Sequence, residues 1–342
     1  MLFHHLFYRQ DSWGDYWWHL NYNGYPLIAF VAAHGKICVT IFVLLSGLGM
    51  ALSYKRRMED VTSNGSQKIR ISTKFVFEKI KKLYLLYWPI FIISLVLCAI
   101  VGIHTPQSVY SSVWQGVRDF FGVAYIFDRV TPFNGAWWYI SFALLLYLFH
   151  PVIHKVTEKF PWISLAASFA IGIFPTSSIA IFIEIRRYLF VYILGILLAE
   201  KNWMNKILNY ERKRVLIFAT FGCVIFALIR VVCPFTFDPF LALSIIVFFT
   251  ELSRTARRQW LWRGICCFGK HSGNIFLIHG ILYKYLLHDF IYGFYIPFFI
   301  WAVLLLLSLG CSVMIEMGKN MCEGGFKKSP SEYRKNWKGK SS

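Results

Sequence analysis

The strongest constraint on the fold is a series of long apolar runs separated by short basic clusters. A helix that crosses the hydrocarbon core of a bilayer needs about 20 mostly apolar residues, and such runs recur along the whole chain. Of the 342 residues, 57% are hydrophobic and only 15% are charged, whereas soluble proteins are about one quarter charged. We therefore predict an all-α, polytopic membrane protein.

Nine apolar segments are predicted as membrane spans. They lie near 28–53, 83–103, 136–154, 161–176, 181–200, 214–233, 238–253, 265–287 and 292–317. The short apolar fragment at 1–8 is interpreted as the end of one further span, which gives about ten transmembrane helices with an incomplete first one. We expect a transmembrane domain over residues 1–318 and a basic, disordered cytoplasmic tail over 319–342.

The loops on one side of these spans carry nearly all of the basic residues. The basic clusters lie within 55–82, 155–159, 201–214 and 254–263, and from Lys319 onward. The positive-inside rule places them in the cytoplasm, so His4 and His5 lie near the outer end of an outward-running helix. Because the net charge of +19 is distributed between apolar spans, it indicates orientation, and we expect no nucleic-acid partner.

The predicted outer segments are rich in aromatic residues, as in DSWGDYWWHLNYNGY and YIFDRVTPFNGAWW. Two interpretations stay open, because Trp and Tyr form belts at membrane interfaces and also stack on carbohydrate.

The eight cysteines form no CxxC pair and no Cys/His cluster with zinc spacing, so we expect no metal site. No GxSxG, P-loop or HExxH motif is present, which excludes a standard hydrolase or NTPase. Ionisable residues at membrane depth are costly and therefore mark candidate functional positions. The candidates are His4, His5, His34, Lys36, Glu184, Arg186, Arg187, Lys270, His271, His279 and Lys284.

Five segments, in order along the chain, carry a resemblance to a known family. They are HGKICVTIFVLLSGLGMALSYKRR, KFVFEKIKKLYLLYWP, NGAWWYISFALLLYLFHP, RRYLFVYILGILLAEKN and GKHSGNIFLIHGILYKYL. Together they resemble the acyltransferase-3 family of integral membrane proteins. This resemblance implies about ten transmembrane helices and transfer of an acyl group, usually acetyl from acetyl-CoA, to a hydroxyl of a cell-envelope glycan.

The resemblance also implies a signature in the first helix, in which a basic residue and ten intervening residues precede a histidine. MLFHH matches the end of that signature, so His4 or His5 would be its histidine and the basic residue would precede residue 1. In one departure, Phe142, Ala143, Leu144 and Leu145 occupy positions where many family members carry acidic or amide residues.

Acyl transfer to a hydroxyl needs a base, and imidazole suits this role near neutral pH. Lys79 and Lys82 are predicted to bind the donor's phosphates, although the alternative is a cluster that contacts anionic lipid. Arg187 is predicted to support the donor or the developing charge, unless it anchors a helix end beside a surface Glu184. His279 is either a packing histidine or a functional one. Ser141, Trp138 and Tyr139 are candidate oxyanion donors.

The sequence thus predicts an acyltransferase of a bacterial inner membrane, with a cytoplasmic C-terminus, that O-acetylates an envelope or exported polysaccharide. Its expected partners are the bilayer, acyl-CoA and a glycan or lipid-linked saccharide, and the oligomeric state is left open. The alternatives are a transporter or flippase for a lipid-linked glycan, and an inactive truncated family member.

Overall fold

The structure is a computed structural model that describes residues 1–8, 21–22, 25–59, 65–101, 110, 112–127, 133–173, 179–233, 235–255 and 259–324. These residues are almost entirely helical, which confirms the all-α prediction. A small antiparallel ladder pairs Asn21–Tyr22 with Tyr25–Pro26.

The α-helices of the described ranges are numbered here in chain order. They are α1 Leu2–Phe7, α2 Leu27–His34, α3 Ile37–Glu59, α4 Gly65–Val101, α5 Val113–Phe120, α6 Trp138–Lys159, α7 Pro161–Ile173, α8 Ala180–Glu200, α9 Trp203–Leu208, α10 Arg212–Val232, α11 Asp238–Thr255, α12 Gln259–Ile281, α13 His288–Tyr292 and α14 Pro297–Gly324. Two 3₁₀ turns, Ala124–Phe127 and Gly135–Trp137, precede α6, and a π-helical turn, Leu282–Leu286, follows α12.

Five helical stretches of the described residues are long and apolar enough to cross a membrane. They are Leu27–Glu59, Gly65–Ile100, Gly135–Lys159, Arg212–Val232 and Pro297–Met321. The predicted count of about ten is therefore not confirmed. Among the other predicted spans, α7 is too short, and α8 carries a cluster of charged residues, Glu184, Arg186 and Arg187, within its first half.

Two details differ from the prediction. The span at 28–53 lies within the stretch Leu27–Glu59, but a turn at Gly35 and Lys36 separates α2 from α3. The basic segment before residue 83 is not a loop, because α4 begins at Gly65 and continues through it. At the other end of the chain, α14 ends at Gly324, and residues 325–342 lie outside the described residues.

The parallel helices α3 and α8 give the bundle its two ends. Lys55, near the end of α3, forms an ion pair with Glu200 at the end of α8 (3.3 Å), and His154 of α6 bonds the same carboxylate (3.0 Å). We call this the basic end and the other one the opposite end. With a rise of 1.5 Å per residue, Lys36 and Lys55 lie about 28 Å apart along α3.

Candidate functional site

The two predicted catalytic histidines lie on α1, which is fixed at the opposite end of the bundle. Leu6 and Phe7 are completely buried, and the hydroxyl of Tyr292 donates to the carbonyl of Leu6 (2.9 Å). Gly35 packs so closely against α1 that a Cβ at this position would lie 3.1 Å from the Cβ of His4. Both ends of the short helix are therefore held by residues distant in sequence.

His4 is oriented by the backbone of α2. Its Nδ1 lies 2.9 Å from the carbonyl oxygen of Ala32, so the proton belongs on Nδ1 and the lone pair on Nε2. The ring stacks on Tyr8, with centroids 4.6 Å apart. An imidazole fixed in this way has the tautomer that a general base requires.

His5 lies beside a third histidine, His279, with ring centroids 5.0 Å apart. The ring of His4 is 5.4 Å from that of His5, so His4, His5 and His279 form a contiguous histidine cluster. Within the described ranges the imidazole of His5 makes no hydrogen bond to another residue. Across the same ranges, no group of three or more His, Cys, Asp or Glu side chains could hold a metal ion.

His279 is completely buried and has the same tautomer as His4. Its Nδ1 lies 3.1 Å from the carbonyl oxygen of Ile275, whereas its Nε2 has no hydrogen-bond partner among the described residues. A buried polar atom without a partner is uncommon. The sequence signal was a single histidine in an apolar span, and that signal could not separate packing from function.

The region before α6 fixes α12 beside this cluster. The side chains of Asn134 and Trp137 both donate to the carbonyl of Leu277, each at 2.8 Å. A Cβ at Gly280 would lie 2.9 Å from the Cβ of Asn134, so only glycine permits this approach. Trp137 is 2% exposed, so its ring can neither form part of an interfacial aromatic belt nor stack on a carbohydrate.

One candidate oxyanion donor is already engaged. The hydroxyl of Ser141 donates to the carbonyl of Gly122 at 2.5 Å, so its proton is not free to stabilise a developing charge. The aromatic segment at 9–20 lies outside the described residues.

A cavity of about 290 Å³ adjoins His279. Its wall is mostly apolar and includes Cys38, Phe42, Phe268 and Ser272. Phe268 and His279 are separated by about 16 Å along α12, so the cavity extends from the histidine cluster toward the basic end.

Arg187 belongs to a second group of charged residues at the opposite end. Its guanidinium bonds the Glu184 carboxylate at 3.1 Å and stacks on Phe235, 4.8 Å from the ring centroid. The Lys36 ammonium lies 5.2 Å from the centroid of the same ring. Glu184 is 5% exposed, so the alternative in which it is a surface partner is wrong.

Lys79 and Lys82 lie on α4 at the basic end, three residues apart and hence on one face of the helix. The Lys79 ammonium is 5.0 Å from the centroid of Phe75, which the Arg57 guanidinium also contacts at 5.4 Å. Lys82 is exposed. The structure therefore keeps the two lysines together but separates them from Arg187 by most of the length of α3.

The basic end also contains a cavity of about 1000 Å³. Its wall includes Tyr54, Lys55, Ser72 and His154. Neither Lys79 nor Lys82 lines it, but Tyr54 packs edge-on against Phe75, with centroids 5.2 Å apart, so the cavity adjoins the residues that hold Lys79.

The model of a family described as "Acyltransferase domain" matches residues 1–317. The chain belongs to the acyltransferase-3 family. The matched range of this acyltransferase-3 protein contains the histidine cluster, Arg187 and both lysines. Family membership supports acyltransferase activity, and the apolar helices support a multi-pass membrane protein. No curated protein and no solved structure matches the chain.

Proposed function

We propose that this chain transfers an acetyl group from acetyl-CoA to a hydroxyl of a cell-envelope or exported glycan. The observation that carries this proposal is the fixed tautomer of His4, in a chain of an acyltransferase family. Its Nδ1 donates to Ala32, which leaves Nε2 free to accept a proton. His5, beside His279, is the alternative base.

The proposed reaction is direct attack on the thioester. The imidazole removes the proton as the glycan oxygen bonds the thioester carbonyl carbon. The carbon–sulfur bond then breaks, and the coenzyme A thiolate takes the proton from the imidazolium. Because the thioester is already activated, no covalent enzyme intermediate is needed. An ester and free coenzyme A are the products, and the histidine returns to its neutral form.

The donor is a polyanion, and its charged part is too costly to bury in the bilayer. We assign that part to the basic end, where Lys79 and Lys82 would bind phosphate groups as point charges. The thioester would then extend through the apolar cavity toward His279. Basic loops at this end support a cytoplasmic location under the positive-inside rule, with the C-terminus on the same side of a bacterial inner membrane.

The experiment is acetyl transfer in membranes that contain the protein, labelled acetyl-CoA and an envelope glycan fraction. His4→Ala is expected to lower the transfer rate by about 10²–10⁴-fold, the usual contribution of a general base. His288→Ala is the matched control, because His288 is a partly exposed histidine at the same end and outside the histidine cluster.

The other outcomes assign the base or reject the function. Loss of transfer in His5→Ala with retention in His4→Ala moves the base to His5. Full activity of both variants removes both histidines as the base. The absence of transfer by the unmodified protein, with every envelope glycan fraction tested, refutes the acetyltransferase assignment.

A further inference from the structure

Three cations converge at the opposite end of the bundle, and together we call them the three-cation cluster: Lys36, Arg187 and Arg230. They come from the break between α2 and α3, from α8 and from α10. Lys36 interacts electrostatically with both arginines and with the carboxylates of Glu184 and Asp238. Three positive charges therefore face two negative ones in a partly buried region, which leaves a positive excess.

Among the described residues, Arg230 has more partners than the other two cations. The guanidinium of Arg230 pairs with Asp238 at 2.8 Å and donates to the carbonyl of His34 at 2.6 Å. Arg187 uses one terminal nitrogen for Glu184, and its side chain is 28% exposed. The Lys36 ammonium has neither a hydrogen bond nor an ion pair with another residue in the ranges that the structure describes. Arg187 and Lys36 therefore retain donors for a ligand.

Phe235 holds these two donors close to each other. Its ring lies within 5.2 Å of both cationic groups, although like charges in a partly buried region repel. Its backbone has a φ of 74°, the left-handed region that a bulky residue rarely adopts. Backbone strain of this kind clusters at ligand-binding sites. An anion between the two cations would offset their repulsion and add charge-assisted hydrogen bonds.

The three-cation cluster adjoins the histidine cluster. Lys36 follows Gly35, whose Cα faces the backbone and Cβ of His4. We propose that Lys36 and Arg187 bind an oxyanion of the acyl acceptor, a carboxylate or a phosphate, and so position an acceptor hydroxyl near His4. The acceptor would then be an acidic sugar or a phosphate-linked saccharide. This inference rests on the proposed function only in naming the ligand as the acceptor.

The test is a binding measurement without acyl donor, on the whole protein in phosphatidylcholine nanodiscs. One probe is an acidic tetrasaccharide of alternating glucuronate and N-acetylglucosamine, compared with the neutral N-acetylglucosamine tetramer. The other probe is a polyprenyl phosphate, compared with the same polyprenol. The variants are Lys36→Gln and Arg187→Gln. Arg118→Gln is the matched control, because Arg118 also stacks on a phenylalanine, Phe127, at 4.8 Å.

We expect both variants to bind the same acidic probe about tenfold more weakly than the unmodified protein does. This is the effect of losing one hydrogen bond to a charged group. Binding of the uncharged counterpart and of both probes by Arg118→Gln should not change. The probe that responds identifies the oxyanion as carboxylate or phosphate. Absence of saturable binding of both acidic probes, or equal affinities of the two variants and the unmodified protein, overturns the inference. Acetyl transfer in the absence of such binding leaves the proposed function intact.

Discussion

The crossing of α3 and α8 depends on two glycines, and a single methyl group there should destabilise the bundle. A Cβ at Gly47 would lie 3.2 Å from the carbonyl carbon of Tyr192 and nearer still to its oxygen, and one at Gly195 would lie 2.9 Å from the nitrogen of Leu48. These neighbours are backbone atoms, which cannot rotate away. Close approach of this kind is the usual reason for small residues at helix crossings in membranes.

The expected cost of Gly47→Ala follows from the displacement. The Tyr192 oxygen would be closer than 3.0 Å, which real Cβ atoms essentially never show, so the two helices must separate by about 1 Å to restore normal contact. Overpacking of a tight interior costs about 1–3 kcal/mol of unfolding free energy. Gly49→Ala is the matched control, because nothing lies within 4 Å of a Cβ at Gly49, and alanine there gains up to about 1 kcal/mol of helix propensity.

Thermal unfolding in detergent, followed by tryptophan fluorescence, measures the difference. The Tm of Gly47→Ala should fall by several degrees, while that of Gly49→Ala stays level or rises slightly. Gly195→Ala should resemble Gly47→Ala, and the double variant should lose less than the sum, because the first methyl group already separates the helices. Equal Tm values for Gly47→Ala and Gly49→Ala would refute the backbone contact.

Three further outcomes are expected. Lys79→Gln should raise the KM for acetyl-CoA about tenfold with little change in kcat, because one charged contact to the donor is lost. Lys81→Gln, on the same helix, should leave this KM unchanged. An equal rise in KM for both variants would mean that only the overall charge of α4 matters. Arg230→Met should lose about 3–5 kcal/mol of unfolding free energy because it leaves the buried Asp238 unpaired, and adding Asp238→Leu should recover most of it, which chemical denaturation of both variants measures. Asn134→Ala should lower the free energy of unfolding by about 1–3 kcal/mol, since α12 loses a buried hydrogen bond; an unchanged Tm would contradict that role.

The local sequence pattern predicts most helical segments, but it does not predict which helices pack against each other. Hydrophobic runs predicted most helical segments, because length and apolarity are properties of the segment itself. The turn at Gly35 and Lys36 lies against His4, and no local pattern shows this contact between residues 31 positions apart. The charges in α8 are visible in the sequence, but the burial of Glu184 follows from packing between α8 and neighbouring helices. The periodicity of one segment does not show which other helix will cover a given residue.

The histidine cluster illustrates the same limit for the site. His5 and His279 are each visible as costly residues in apolar surroundings, yet 274 positions separate them and only tertiary packing brings their rings together. Nothing in the sequence distinguishes Phe235 from the other phenylalanines of this aromatic chain. Its positive φ and its contacts with two cationic groups are seen only in the structure. The sequence therefore does not predict the parts of the site that depend on contacts between residues on distant helices.

The separation of the two charged regions restricts any mechanism for the proposed reaction. A phosphate group beside Lys79 and an oxyanion beside Lys36 would lie near opposite ends of α3, about 28 Å apart along its axis. The charged parts of donor and acceptor therefore need not enter the hydrocarbon region, where ionised groups are most costly. Only the uncharged thioester and one hydroxyl have to meet. They would meet at the histidine cluster, beside the apolar cavity that adjoins His279, and neither group brings a net charge into that region. A crossing of α3 and α8 that is fixed by backbone contact keeps the two ends at a constant separation, so Gly47→Ala should lower acetyl transfer even at temperatures where the variant stays folded.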